Sequence, residues 1–302
     1  MLARLALVFL DVVAPAFAVI GLGYLVGPRL KLESRTLSRA AYHVFVPAFT
    51  FDVISTSAVP LARAARLAAY VVALHLAFAA LGFAAARALR RGRDVSAAYV
   101  MLGVFGNVGN YGLALVQFRF GDAARVPATL YFVVSLLVSF TVCVWVAASV
   151  SGSGLSAVAS VLRTPALLVA APALAVSAAG WSVPLPLARA VGLLGAAMIP
   201  VMLFALGLQL AEARVLRPST DALVASALRL VASPVVAALL APAFRVADVD
   251  RAVSVLQAGM PAAVLVAIIS SEYAVAPGLV MSTVFWSTVL SVPALTVLLA
   301  WL

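Results

Sequence analysis

Two asparagines and three glycines, in the run GNVGNYG at 106–112, interrupt an otherwise apolar stretch, SAAYVMLGVFGNVGNYGLALVQFRFG. Amide side chains donate and accept hydrogen bonds without ionising at neutral pH, so this pattern suits recognition of a polar ligand by hydrogen bonding. A second interruption, SVLQAGMPAAVLVAII, offers the amide of Gln257, the slack of Gly259 and Pro261, which removes a helical hydrogen bond. Catalytic patterns are missing. The chain has no phosphate-binding loop of the Walker type, no H-E-x-x-H and no C-x-x-C, and its G-x-x-G-x-x-G lacks the strand-turn-helix setting of a dinucleotide fingerprint. With two His and one Cys, it cannot assemble a typical zinc site of about four ligands. No enzymatic activity, metal or cofactor is expected.

The elements that must position these amides are membrane helices. Of the 302 residues, 66% are hydrophobic and 10% charged, against roughly 45–50% and about 25% in soluble domains. Apolar runs of about 20 residues, enough to cross a hydrocarbon core of about 30 Å as helix, recur throughout. They fall near 5–27, 36–57, 65–89, 95–118, 126–149, 164–182, 188–211, 220–244, 250–271 and 278–301. The net charge of +10 is strung between these runs, as interfacial anchors are, which argues against nucleic acid as a partner. The lone Cys143 permits no internal disulfide. Arg4, the apolar run after it and Ala16-Phe17-Ala18 imitate a signal peptide, but Asp11 interrupts the run and the segment has a counterpart further on.

That counterpart organises the chain. APAFAVIGLGYLVGPRL at 14–30 aligns with APALAVSAAGWSVPLPL at 171–187, pairing Pro15 with Pro172 and Gly23 with Gly180. FVPAF at 45–49 then faces MIPVM at 198–202, pairing Pro47 with Pro200, and these four prolines are expected to break or shape their helices. Five spans per copy force the second copy to enter the membrane in the opposite sense. The expected fold is all-α and polytopic: ten transmembrane helices as two inverted five-helix repeats, 1–149 and 164–302, joined by a short cytoplasmic linker at 150–163. With both termini external, Lys and Arg number eleven in cytoplasmic connections and eight outside, and the two densest clusters share the cytoplasmic side. All twenty basic residues are read as lying in connections or near span ends, Arg229 being the ambiguous one.

A helix can break in lipid only where protein or a water-filled cavity takes up the freed backbone groups. Breaks at matching places in the fourth and ninth helices would cross near the midplane and offer half-helix N-termini to an anion. The expected binding residues are Asn107, Gly109, Asn110 and Tyr111 with Gln257, Gly259, Met260 and Pro261. The glycine spacing alone also fits a simple packing face, with Asn as interhelical glue. His43 and Asp52 are candidates for proton or ion coupling, nine residues apart and therefore on opposite helix faces. His75 reads as a hydrogen-bonded structural residue, and Asp11 and Glu272 as interfacial.

GNVGNYGLAL, GMPAAVLVAIISSEY with the later STVFWSTVLSVPAL, and AAMIPVMLFALGLQL together resemble the short bacterial form of the auxin efflux carrier family, over nearly the whole chain. The resemblance implies a crossover of the fourth and ninth helices, a scaffold, a transport domain moving in an elevator-like manner, and carboxylate substrates such as auxin, malate and malonate. More distantly the chain resembles the bile acid/sodium symporter fold. Family crossover positions correspond to Asn107, Asn110 and Pro261, while Ala114 stands where the family often has Pro. The plant members' long loop is reduced to 150–163, so auxin itself is not implied. The expected function is secondary transport of small organic anions. A passive uniporter or channel-like carrier and a non-transporting ligand sensor are the alternatives. Expected partners are a small carboxylate, the bilayer, a proton or sodium ion, and a second copy of the chain, with the protein integral to a bacterial inner membrane.

Overall fold

The computed structural model describes residues 2–56, 60–151, 165–212, 217–246 and 248–302. Most of the linker expected at 150–163 lies outside the described residues. In chain order the helices are α1 (2–30), α2 (34–55), α3 (Leu61–Ala88), α4 (Arg93–Val104), α5 (108–120), α6 (122–151), α7 (Pro165–Ala179) and α8 (Leu185–Glu212). α9 (Thr220–Phe244), α10 (Asp248–Ala258), α11 (Val264–Glu272) and α12 (Pro277–Trp301) follow. Strand-like pairing among the described residues is confined to one antiparallel bridge, Gly106 with Ala262.

Six of these helices, α1, α3, α6, α8, α9 and α12, are long and apolar enough to cross a membrane, at 25 to 29 residues each. Their exposed leucines and aromatics, such as Leu22, Leu76, Phe83, Trp145 and Leu239, would be a liability in water and are the natural surface in lipid. The other expected spans depart from that pattern for visible reasons. α2 opens on the polar run Ser34-Arg35-Thr36, α7 has 15 residues, and the fourth and ninth spans are each divided into two short helices, α4 with α5 and α10 with α11.

The prolines are accommodated without ending their helices. Pro lacks the N–H of a helical bond, and its ring collides with the carbonyl four residues back. Widened, π-type turns at Phe9–Val13, Ala41–Phe45 and Leu228–Ala232 immediately precede Pro15, Pro47 and Pro234, opening the ladder where each ring must enter. Pro172 and Pro200 lie inside unbroken α7 and α8. Helix breaks at Pro15, Pro47, Pro172 and Pro200 therefore do not occur, and the true breaks lie elsewhere.

Packing sorts the helices into two groups. α1 lies along α8, α8 against α2, and α2 against α7. In the other group α3 packs on α4 and α6, α9 on α10 and α12, and α10 on α6. The α1–α8 seam depends on Gly207, where an added Cβ would collide with the Ile20 carbonyl, whereas Gly21, one residue along, faces open space. Gly207→Ala is therefore expected to destabilise the fold by about 1–3 kcal/mol through overpacking, and Gly21→Ala to leave it unchanged. Thermal melting of both variants in detergent checks this: equal midpoints would show that the seam is looser than described.

Candidate binding site

The two interruptions meet. The Asn107 N–H donates to the Pro261 carbonyl (2.7 Å) and the Ala263 N–H to the Phe105 carbonyl (2.9 Å), an antiparallel exchange centred on Gly106 and Ala262. The exchange joins Asn107 to Pro261 and Phe105 to Ala263. Each break leaves carbonyls at the end of one short helix and N–H groups at the start of the next, and all of them need partners in a low-dielectric interior.

The carbonyl ends are closed by protein. At the end of α4, Ser139 Oγ donates to Val104 O (2.9 Å), the Cys143 thiol to Met101 O (3.7 Å), and Arg229 Nη1 to Gly103 O (2.7 Å). At the end of α10, Arg229 Nε donates to Met260 O (3.1 Å). Ala262 N–H is taken by Ser287 Oγ (3.1 Å). Arg229 is 1% exposed, its guanidinium stacked over Phe78 with 5.5 Å to the ring centroid. No ion pair formed by the described residues includes it. Its counter-charge is the pair of helix C-termini, each worth about −0.5 of an elementary charge, so two of them balance one guanidinium. Gly106 makes room, since a Cβ there would collide with Arg229 Nη2. The expectation that every basic residue lies in a connection or near a span end is thus corrected: Arg229 sits in the interior, on the wide turn of α9.

The N–H ends face a cavity. The first-turn N–H groups, which have no intrahelical acceptor by helix geometry, are those of Val108, Gly109 and Asn110 in α5 and of Val264 and Leu265 in α11. All five residues line a narrow recess of about 90 Å³, together with Asn107, the N-cap residue of α5, whose side chain makes no capping hydrogen bond. Asn107 is 3% exposed and its Nδ2 has no hydrogen-bond partner, while Asn110 is half-buried. The far wall comes from the other helix group, through Ser38, Tyr42 and Val46 of α2 and Met202, Ala205 and Gln209 of α8. The recess shares Ser38, Tyr42, Gln209 and Val264 with a wider cavity of about 740 Å³, whose rim carries Arg35, Arg39 and His43. Glu212 is the acidic residue there, and its carboxylate accepts from Ser34 N–H (2.9 Å) and Oγ (2.6 Å), tying α8 to the start of α2.

The structure divides the expected binding set. Asn107, Gly109 and Asn110 line the recess. Tyr111 is buried with its ring edge-on to Phe17 (5.7 Å). Gln257, Gly259, Met260 and Pro261 are buried in packing on the carbonyl side, Gln257 through a bond from Nε2 to Ala128 O (3.1 Å). The ninth-span contribution to the recess comes instead from Ala263, Val264 and Leu265, past the proline. His43 is exposed on the rim, against Tyr42. Asp52 is remote from it, paired with Arg125 Nη2 (3.6 Å) at the start of α6. His75 is buried between Val71 O (2.7 Å) and Ser135 Oγ (2.8 Å). A carbonyl only accepts, so Nδ1 carries the proton and Nε2 accepts from Ser135, a structural arrangement. Asp11 and Glu272 are exposed.

Residues 155–299 match the family model described as "Membrane transport protein". The chain is 30% identical over 302 residues to a Rhizobium meliloti (strain 1021) protein named "Putative malonate transporter", covering 95% of this chain and 93% of that protein. It is also 38% identical over 117 residues to an "Uncharacterized transporter" of Methanothermobacter thermautotrophicus, 38% of either chain.

The contact between Gly106 and Arg229 yields a test of the site's construction. Gly106→Ala pushes the guanidinium off one or both carbonyls and is expected to cost at least the roughly 1–3 kcal/mol of an overpacked site. Gly92→Ala, at an open position, serves as the control. A Gly106→Ala protein that melts with the control would mean that the guanidinium is not held as described.

Proposed function

The chain belongs to the auxin efflux carrier family of membrane transport proteins, and on that premise we propose that it is a secondary carrier of small carboxylates, with dicarboxylates of malonate size as the first candidates. The observation that carries this reading is the sorting of helix ends around the two breaks. Both carbonyl ends are closed by Arg229, Ser139 and Cys143, whereas both N–H ends and the Asn107 amide open on one recess. Two helix N-termini offer about +0.5 of a charge each, a match for one carboxylate, and do so through neutral donors that release the ligand more readily than a buried Lys or Arg would. Arg35 and Arg39 on the rim raise the local anion concentration before binding.

The two helix groups supply the moving parts of this proposal. α1, α2, α7 and α8 form the scaffold, and the remaining helices carry both breaks as the transport body. Supporting an inverted repeat, contacts recur when the halves are exchanged: α1 with α8 corresponds to α7 with α2, and α3 with α4 to α9 with α10. The recess lies between scaffold and transport body, so sliding one past the other exposes it to alternate sides, as an elevator does. With both termini outside, the cavity rimmed by Arg35 and Arg39 faces the cytoplasm, and the Asp52–Arg125 pair ties α2 to α6 on the outer side. A channel would need a continuous path. A sensor would not need a cavity walled by two separately packed bodies.

Uptake of radiolabelled malonate into proteoliposomes tests the reading. Asn107→Asp places a carboxylate beside the proposed anion site, and repulsion in a low-dielectric cavity is strong. Uptake by this variant is expected to fall at least tenfold at neutral pH. It should recover as acidification neutralises the introduced Asp, because protonation removes the like charge. Uptake equal to wild type at neutral pH would place the anion elsewhere.

A further inference from the structure

Arg229 stands at the point where a cation would be expected to bind. Unwound carbonyls and the C-terminal ends of half-helices are the groups with which broken transmembrane helices hold sodium ions. In this chain those groups include Gly103 O and Met260 O, 2.7 and 3.1 Å from two nitrogens of one guanidinium. We propose that Arg229 is a resident, tethered cation occupying the cation position at the carbonyl ends of the two breaks, so that the protein binds no sodium ion there and moves its anion without one. The transport part of this proposal rests on the carrier reading above. The binding part does not.

Three features support it. The guanidinium is fully buried, with the Phe78 ring on one face and Gly106 pressed against Nη2, which leaves no room for a second cation beside it. A sodium ion arriving at Gly103 O would face a fixed positive charge and would have to displace a charge-assisted hydrogen bond. The two helix C-termini supply about one negative charge in total, which Arg229 already balances, so a second cation would leave the interior with an uncompensated charge. The arrangement also bridges α4, α9 and the end of α10, making the guanidinium a positioning group for both breaks and, through the Asn107–Pro261 and Phe105–Ala263 bonds, for the recess behind them.

The experiment compares sodium chloride with choline chloride at equal ionic strength, using the full chain purified in detergent and reconstituted in proteoliposomes. Wild type is expected to melt at the same temperature in both salts, because an ion that bound only the folded state would raise the midpoint. Malonate uptake by wild type should likewise be the same in both. Arg229→Gln removes the charge while keeping a donor. It should melt roughly 10 °C lower in choline chloride, as expected for exposing an unbalanced buried charge arrangement. It should regain part of that loss in sodium chloride or in low-millimolar guanidinium, a response that a merely space-filling role would not produce. A sodium-specific rise in the wild-type midpoint, sodium-dependent wild-type uptake, or an Arg229→Gln protein indifferent to both cations overturns the proposal. If Arg229→Gln does not fold, Arg229→Lys, which keeps the charge but reaches fewer carbonyls, replaces it and should show no sodium response. Carboxylate uptake absent in either salt, with the melting results as expected, would defeat the carrier reading and leave the resident cation standing.

Discussion

Backbone groups freed by breaking a helix inside a membrane must all find partners, and that constraint shapes the centre of this protein. Two breaks create two carbonyl ends and two N–H ends in one small volume. An unpaired buried polar group costs several kcal/mol in hydrocarbon, so an unmanaged double break would unfold the body that carries it. The chain resolves the problem asymmetrically. Side chains from α6 and α9 close the carbonyl ends, a two-bond antiparallel exchange joins the breaks, and the N–H ends are turned toward a cavity. The polarity of the site is thus a consequence of which ends were closed.

The closure explains residues that look unrelated in the sequence. Cys143 and Ser139 lie one helical turn apart on α6 and serve the same helix end. Gly106 is small because a guanidinium lies against it, and Gly103 because α4 passes close to the Phe78 carbonyl on α3. Ser287, far along the chain on α12, takes the Ala262 N–H at the bridge. Loss of Ser139, Arg229 or Ser287 would remove the side-chain partner of a group freed by the breaks, which couples the stability of this helix group to the geometry of the recess.

Much of this was legible in the sequence because apolar runs, glycine clusters and proline placement are local signals. Six of the apolar runs hold helices long and apolar enough to cross a membrane, and the breaks fall where GNVGNYG and GMPAA interrupt two others. What was not legible was depth and direction. Gln257 reads as a binding residue, but it precedes its break by two residues and bonds to α6, whereas Ala263, past the proline, is joined to Phe105 and lines the recess. Prolines at 15, 47, 172 and 200 suggested breaks that wide turns or undisturbed helices absorb. Arg229 was the informative omission. An arginine within SALRLVASPVV, mid-span, is the kind of intramembrane ionisable residue that marks function, but nothing local says that its counter-charges are two helix ends from elsewhere in the chain.

The proposed site puts the carboxylate at the N–H ends of the breaks, on the side away from Arg229. A structure of the protein with malonate bound, in lipid nanodiscs, tests it most directly. A carboxylate is expected within hydrogen-bonding distance of the Asn107 amide and the Gly109, Asn110 and Val264 N–H groups, with Arg229 still holding Gly103 O and Met260 O. Malonate seated on the Arg229 guanidinium, or bound only at the Arg35 and Arg39 rim, would contradict it.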